Sequence, residues 1–545
     1  MTSVAPVEPP KSPGVRRWLQ FRLRTLLILI LVAAVALAWY QSERRRLAGV
    51  APTQWDVKKG NNIKWAVDLG TRDSSPVVAG DKVFVGSNNM HGYVPRFPAK
   101  IDLSVMLCFR ADDGEFLWQA THPRLPTGRI HDYPHNGIPS RPLVEGNRLW
   151  YVSNRCEVVC LDTEGFYDDE NDGPVVSETV DRREADVVWT LDMFNQLGVR
   201  PHEQCPCWLA ADDRRLFVVT GNGIDQSHTR VQAPQAPSFL AIDKQTGQVL
   251  WSDNSPGANI MHSQWGSPTY AVLGGVPQVI FPGGDGWVYS FDPAGTPNGK
   301  SKLLWKFDIN PKRSVFALGG RGTRNEQSFW VNVAEERVYL TTGQDPEHGD
   351  GPGCIWCLDP TKRGDVSSEL VLNPADPTQP VPPRRITPVD PAAGDYVAPN
   401  PNSAVLWRYE GCDLDGDGTL AFTETMHRSL SGVSVNGGVL IAADYSGIVH
   451  CMNAKTGQAL WTHDLLATSW CPTLISGGHA YVSDEDGDVC IFKLPTSEQE
   501  MAAKQMVGEM NMGNSVLSRP TVANQVLYIA ARGKLYAIAK LKKGP

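Results

Sequence analysis

The chain of 545 residues contains no GxSxG, no HExxH and no GxxxxGK[ST]. These absences remove the nucleophile elbow, the helical zinc-protease site and the nucleotide P-loop as sources of chemistry. Basic residues are in deficit: 51 Lys and Arg against 59 Asp and Glu give a net charge of −8. A general nucleic-acid binder needs the opposite balance, so nucleic acid is excluded as a partner. Long apolar runs are scarce, and one stands apart, Leu26 to Tyr40. No cysteine precedes Cys108, which argues against a lipid-bearing cysteine after that run. No two of the 11 cysteines are adjacent, and the odd count leaves at least one thiol free or paired between chains.

The apolar run is short for a spanning helix, which needs about 20 residues. Lys11, Arg16, Arg17, Arg22 and Arg24 precede it, and Arg44, Arg45 and Arg46 follow. That bias places the N-terminus inside. Residues 1–22 read as a cytoplasmic basic segment, 23–42 as a transmembrane anchor or uncleaved signal, and 43–59 as a linker. Ala36-Leu37-Ala38 resembles a cleavage site, so a cleaved export signal is the second reading. The expectation is a single-pass protein of the bacterial inner membrane with residues 60–545 in the periplasm.

What abounds is Gly (50), Pro (41) and Trp (17), spread along the chain as short strands and turns require. CFRADDGEFLW (108–118), AIDKQTGQVLW (241–251) and CMNAKTGQALW (451–461) are near-copies. Each reads as a strand, a turn with Gly at positive φ, and a second strand ending in Trp. Strand pairs of a second kind begin at 74, 140, 207, 267, 328, 431, 471 and 518. Eight units follow. Trp118, Trp189, Trp251, Trp305, Trp407 and Trp461 close six of them; the seventh has none, its place falling near Met506. The eighth stops after LYAIAK (535–540), whereas IKWAVDL (63–69) is a closing strand with nothing before it. The fold predicted is all-β: an eight-bladed β-propeller of four-stranded antiparallel blades, closed by the N-terminal strand, after an N-terminal membrane helix.

In this frame Cys108, Cys160, Cys357 and Cys451 share a place with Ala241, Ser290 and Ala537, where a small buried side chain is required. Cys354 and Cys357 point to opposite faces of a strand, which makes a poor metal or dithiol site. Cys205-Pro-Cys207 is the better redox or disulfide suspect. With the four strands of each unit lettered A to D in chain order, the long B–C and D–A loops all fall on one face and carry His122, His131, His135, His202, His262, Arg321, Arg324, Asp345, Glu347 and His348. Binding residues gather on loops of a rigid scaffold, so this face is expected to bind. Arg321 and Arg324 either clamp a carboxylate or phosphate or pair with Asp345 and Glu347. The C–D insertions 163–186 and 360–404 are expected on the opposite face, the second partly disordered because it is rich in Pro and Asp.

The sharpest local motif is DLDGDGTLAFTE, 413–424. Asp413, Asp415, Asp417, the Thr419 carbonyl and Glu424 stand at calcium-loop places 1, 3, 5, 7 and 12, with Gly418 at the turn. Calcium is the expected metal. DEDGD (484–488) and DDENDG (168–173) are weaker acidic runs.

The Trp-ending repeats resemble those of the pyrroloquinoline quinone (PQQ) dehydrogenases and, more broadly, the PQQ-binding-like β-propeller repeat family, which includes the outer-membrane barrel assembly scaffold. The resemblance implies the eight-bladed fold over most of 60–540. Quinone-dependent alcohol dehydrogenases of the family carry an adjacent cysteine pair, which this chain lacks, so no catalytic residue is carried over. Two functions are open. One is a binding or scaffold module with a structural calcium site, taking a protein or polymer ligand on the loop-rich face and attached to the membrane by its N-terminal helix. The other is a PQQ-dependent oxidoreductase acting on an alcohol or sugar. In that reading Arg321, Arg324, Asp345, Glu347 and His348 would line the cofactor site, with Asp345 or Glu347 as base.

Overall fold

The computed structural model describes residues 51–176, 180–319, 322–495, 500 and 503–540. The expected anchor at 23–42 and Arg321 lie outside the described residues. Among the described residues no helix is long and apolar enough to cross a membrane.

Eight antiparallel blades form the ring. They span residues 77–123, 143–192, 210–253, 269–308, 331–358 with 405–409, 433–464, 474–511, and 521–538 with 63–68. The last blade is composite as predicted. Ile63–Asp68 pairs with Lys534–Ile538, Trp65 facing Ala537 and Asp68 facing Lys534. Lys534 Nζ meets Asp68 Oδ1 at 2.6 Å.

The repeated Trp is opposed by a small residue: Cys108 faces Trp118, Cys160 Trp189, Ala241 Trp251, Ser290 Trp305, Cys357 Trp407 and Cys451 Trp461. A bulge follows each pair and bends the outer strand. The rings of Trp118, Trp189, Trp251 and Trp407 then reach the turn glycine of the next blade. A Cβ on Gly247 would lie 2.6 Å from the Trp189 ring, and one on Gly165 would lie 2.9 Å from Trp118. Indole N–H groups follow: Trp118 donates to the Thr163 carbonyl, Trp189 to Lys244, Trp251 to Pro293 and Trp407 to Ala454. Trp305 reaches its neighbour through a relay. Its N–H donates to Gln278 Oε1, and Gln278 Nε2 donates to the Pro360 carbonyl. A buried Trp removes about 150–250 Å² from water, which contributes about 4–6 kcal/mol before entropy. Repeat and interblade contact are therefore the same feature.

Blade 7 inverts the pair. Gly508 stands at the Trp place, opposite Ile491 at the small place. Trp55, from the segment ahead of the closing strand, is buried in the same apolar cluster as Ile491 and donates to Met512 Sδ. Cys354 and Cys357 lie in different interblade clusters, as their spacing implied.

The insertion at 360–404 departs from expectation. It is folded, with Glu369–Leu372 paired to Tyr396–Pro399 and Arg384 ion-paired to Asp395. It starts on the far face and pairs Gly364-Asp365 in parallel with the outer strand of blade 4, at Trp305 and Lys306. It then climbs that edge to the loop-rich face. There Arg385 donates to the carbonyls of Thr229, Ile260 and Met261. Specific pairing thus outweighs a composition that favours disorder.

Candidate functional site on the loop-rich face

The B–C and D–A loops surround one mouth of the central channel. A hollow of about 150 Å³ there is lined by Arg72, Tyr133, Glu203, Trp265, Asp345 and Trp470, with Glu347 at its rim. Asp345 is 6% exposed, and its Oδ1 accepts the Glu347 N–H at 2.7 Å. Burial, then the neighbouring Glu326, pushes its carboxyl up to about 7. His348 Nδ1 lies 2.9 Å from Glu326 Oε1. Burial works against charge on His348, and the Glu326 carboxylate outweighs it, raising the imidazole.

Beside this hollow three histidines from different loops meet. One imidazole nitrogen from each of His202, His228 and His262 lies within 4.8 Å of those of the other two. His202 and His262 are buried, with ring centroids 4.5 Å apart, and burial holds His202 down at about 4 and His262 well below its usual value. Sequence reasoning placed His202 and His262 on this face but passed over His228 and Glu326, which follow no spacing rule. Only their position in the loops 222–237 and 308–327 pointed to them.

The channel below is crossed by aromatic rings. Trp208 and Trp330 meet edge to face at 4.2 Å. They line both a 210 Å³ hollow on the loop side and a 470 Å³ hollow beyond. Arg141 and Arg519 also line the deeper hollow, and the Arg141 guanidinium sits 5.3 Å from the Trp208 ring. Neither guanidinium has a carboxylate partner among the described residues. Burial, then repulsion from Arg519, pulls Arg141 down to about 10, and burial lowers Arg519. Arg141, Trp208, Trp330 and Arg519 share one place in the repeat. Each stands two residues before the inner-strand residue facing Trp150, Phe217, Tyr339 and Tyr528 respectively. Aligning Ser-Arg-Pro at 140–142 with Ser-Arg-Pro at 518–520 was the signal that could have found them.

The remaining candidates sit elsewhere. Arg324 is 1% exposed, and its guanidinium faces Asp308 at 3.1 Å beside Lys312. Burial raises the Asp308 carboxyl, but Arg324 and Lys312 outweigh it and hold it below the usual range. In the acidic loop, Asp413, Asp415 and Glu424 bring carboxylate oxygens within 4.8 Å of one another. Asp417 turns instead to the Thr419 N–H and hydroxyl. The Gly418 and Gly416 N–H groups bind Asp413 and hold its carboxyl low. All eleven cysteines are thiols. Cys205 shares the Thr220 carbonyl with Cys156, at 3.4 and 3.5 Å, while Cys207 accepts the Val219 N–H.

Residues 393–543, which hold the outer strand of blade 5, blades 6 and 7 and three strands of blade 8, match the family described as outer membrane protein assembly factor BamB. Over those residues the chain is similar to the PQQ-like β-propeller repeat family. The quinohemoprotein alcohol dehydrogenase from Comamonas testosteroni shares the propeller fold. The two align with a TM-score of 0.51 and 12% identity over 92% of this chain and 80% of that one. BamB from Moraxella catarrhalis aligns with a TM-score of 0.48 and 13% identity, over 87% of this chain and 97% of that one. At such identities the likeness is of fold alone. No curated protein matches the chain by sequence.

Proposed function

We propose that this propeller is a binding module that takes a carboxylate-rich segment of a protein or polymer partner into its central channel, entered from the loop-rich face. One observation carries the reading: Arg141 and Arg519 are held in the channel without a carboxylate partner. Unpaired, half-buried cations are costly, and an anionic ligand supplies the missing charge and hydrogen bonds. Trp208 and Trp330 add flat apolar surface beside them. The family description, an assembly factor for outer membrane proteins, fits a protein-binding role. In this reading residues 23–42 anchor the chain in the bacterial inner membrane with the propeller in the periplasm, and calcium in loop 413–424 stiffens the connection beside the binding face.

The same arginines and tryptophans favour a second reading, a quinoprotein oxidoreductase. PQQ is flat and carries several carboxylates, so Arg141 and Arg519 fit its charge. A metal partner for the quinone does not fit as well. The carboxylate and histidine groups able to hold an ion among the described residues are the two named above, and neither lines this channel. No catalytic step is therefore derived. Calorimetric titration of the full chain with oligoglutamate, and separately with PQQ, tests both readings. We expect oligoglutamate to bind, weaken with salt, and lose at least tenfold affinity in R141Q/R519Q. Tight PQQ binding with no peptide heat would replace the first reading by the second, and no heat from either would remove both.

A further inference from the structure

We propose that His202, His228 and His262 form a binding site for a divalent transition-metal ion of the zinc class. The three residues come from different segments: the loop between blades 2 and 3, the B–C loop of blade 3, and the loop between blades 3 and 4. Three imidazoles without a thiolate suit zinc, and copper or nickel next.

The surroundings are built as a metal site needs. His202 Nδ1–H donates to the Ile224 carbonyl at 3.0 Å, which fixes the tautomer and leaves Nε2 with its lone pair free. His262 is 2% exposed, and its Nδ1 has no hydrogen-bond partner, a state that buried polar atoms rarely keep. That nitrogen lies 3.7 Å from Asp345 Oδ2 and 4.0 Å from Glu326 Oε2. A small approach makes the carboxylate–histidine contact that commonly backs a metal ligand, with Nε2 turned to the ion. Glu326 also places a carboxylate near the site, which a dication favours. His228 is half-buried and held at φ 56° in a tight loop whose Asp225 carboxylate accepts the Thr229 and Arg230 N–H groups. Zinc–nitrogen bonds of about 2.0–2.1 Å require closer ligands than these, and the half-exposed His228 side chain has room to close. The strap from 360–404 fastens both moving parts: Arg385 holds Thr229, next to His228, and Ile260 and Met261, just before His262. Arg385 is thus a positioning residue.

The test uses the full chain, stripped with chelator and kept in excess calcium so that loop 413–424 does not compete. Zinc is titrated calorimetrically and cobalt by its visible absorption. The expected result is one ion per chain, with an intense tetrahedral-type cobalt band. H202A and H262A should each lose at least tenfold in zinc affinity, and R385M several-fold. D413N/D415N should leave it unchanged. Should the buried-histidine variants fail to fold, H228Q, at a loop tip, carries the same expectation. No stoichiometric ion, or H228Q and R385M binding zinc like the parent chain, would overturn the proposal.

Discussion

At the scale of single residues, one contact recurs around the ring: a tryptophan laid on the turn glycine of the next blade. Gly247 takes φ 71°, and its hydrogen faces the Trp189 ring where a Cβ would lie 2.6 Å away. Gly247→Ala therefore meets two penalties, the left-handed backbone and the ring. Gly80, at φ 59°, has nothing within 4 Å and meets the first alone. Thermal unfolding of the two variants should separate them, with about 1 kcal/mol lost at Gly80 and about 2–4 kcal/mol at Gly247. A second residue prediction concerns acid. Burial, then Arg155, holds His122 down at about 4, and its Nε2 meets the Tyr151 hydroxyl at 2.6 Å. An unfolded histidine titrates near 6.5, so the unfolded chain binds the extra proton first and stability falls as pH drops from about 6.5 to about 4. The loss amounts to about 3 kcal/mol. In H122Q, which retains a polar group for Tyr151, the melting temperature should depend less on pH across that window. An identical pH profile would discard the assignment.

Among elements, the segments with the least regular sequence bind the face together. The 360–404 strap looked like a disordered acidic and proline-rich insertion, because composition reports what a segment buries and not what it pairs with. Its hold comes from Gly364-Asp365 beside blade 4, the hairpin, and Arg385 on three carbonyls. R385A should leave the ring's melting transition within about 1 kcal/mol of the parent while loops 222–237 and 253–266 become more open to limited proteolysis. The acidic loop offers a parallel test. Calcium should raise the melting temperature of the full chain, and D413N/D415N should abolish that rise. Blade number and order were legible because Trp, Gly and the alternating strands are local signals repeated in frame. The histidine group was not, since His202, His228 and His262 are brought together by three loops with no common spacing. The arginines of the channel lay between these cases. Their frame was visible, but only strand register shows that Arg141, Trp208, Trp330 and Arg519 occupy one place.

For the whole molecule, the composite eighth blade sets the order of events. Ile63–Asp68 is among the first strands of the ring to be made, and its partner Lys534–Ile538 is the last. Until that partner arrives, an edge strand bearing Trp65 has no ladder to join, and closure spans nearly the full chain. Ring closure should therefore be the slow final step of folding, after most blades exist. Connecting residue 540 to residue 51 by a flexible linker, which keeps Trp55 in blade 7, and opening the chain between blades 5 and 6 would make the eighth blade local. Such a circular permutant should refold faster than the parent while reaching the same ring, because where the chain starts is a property of its assembly and not of its finished shape.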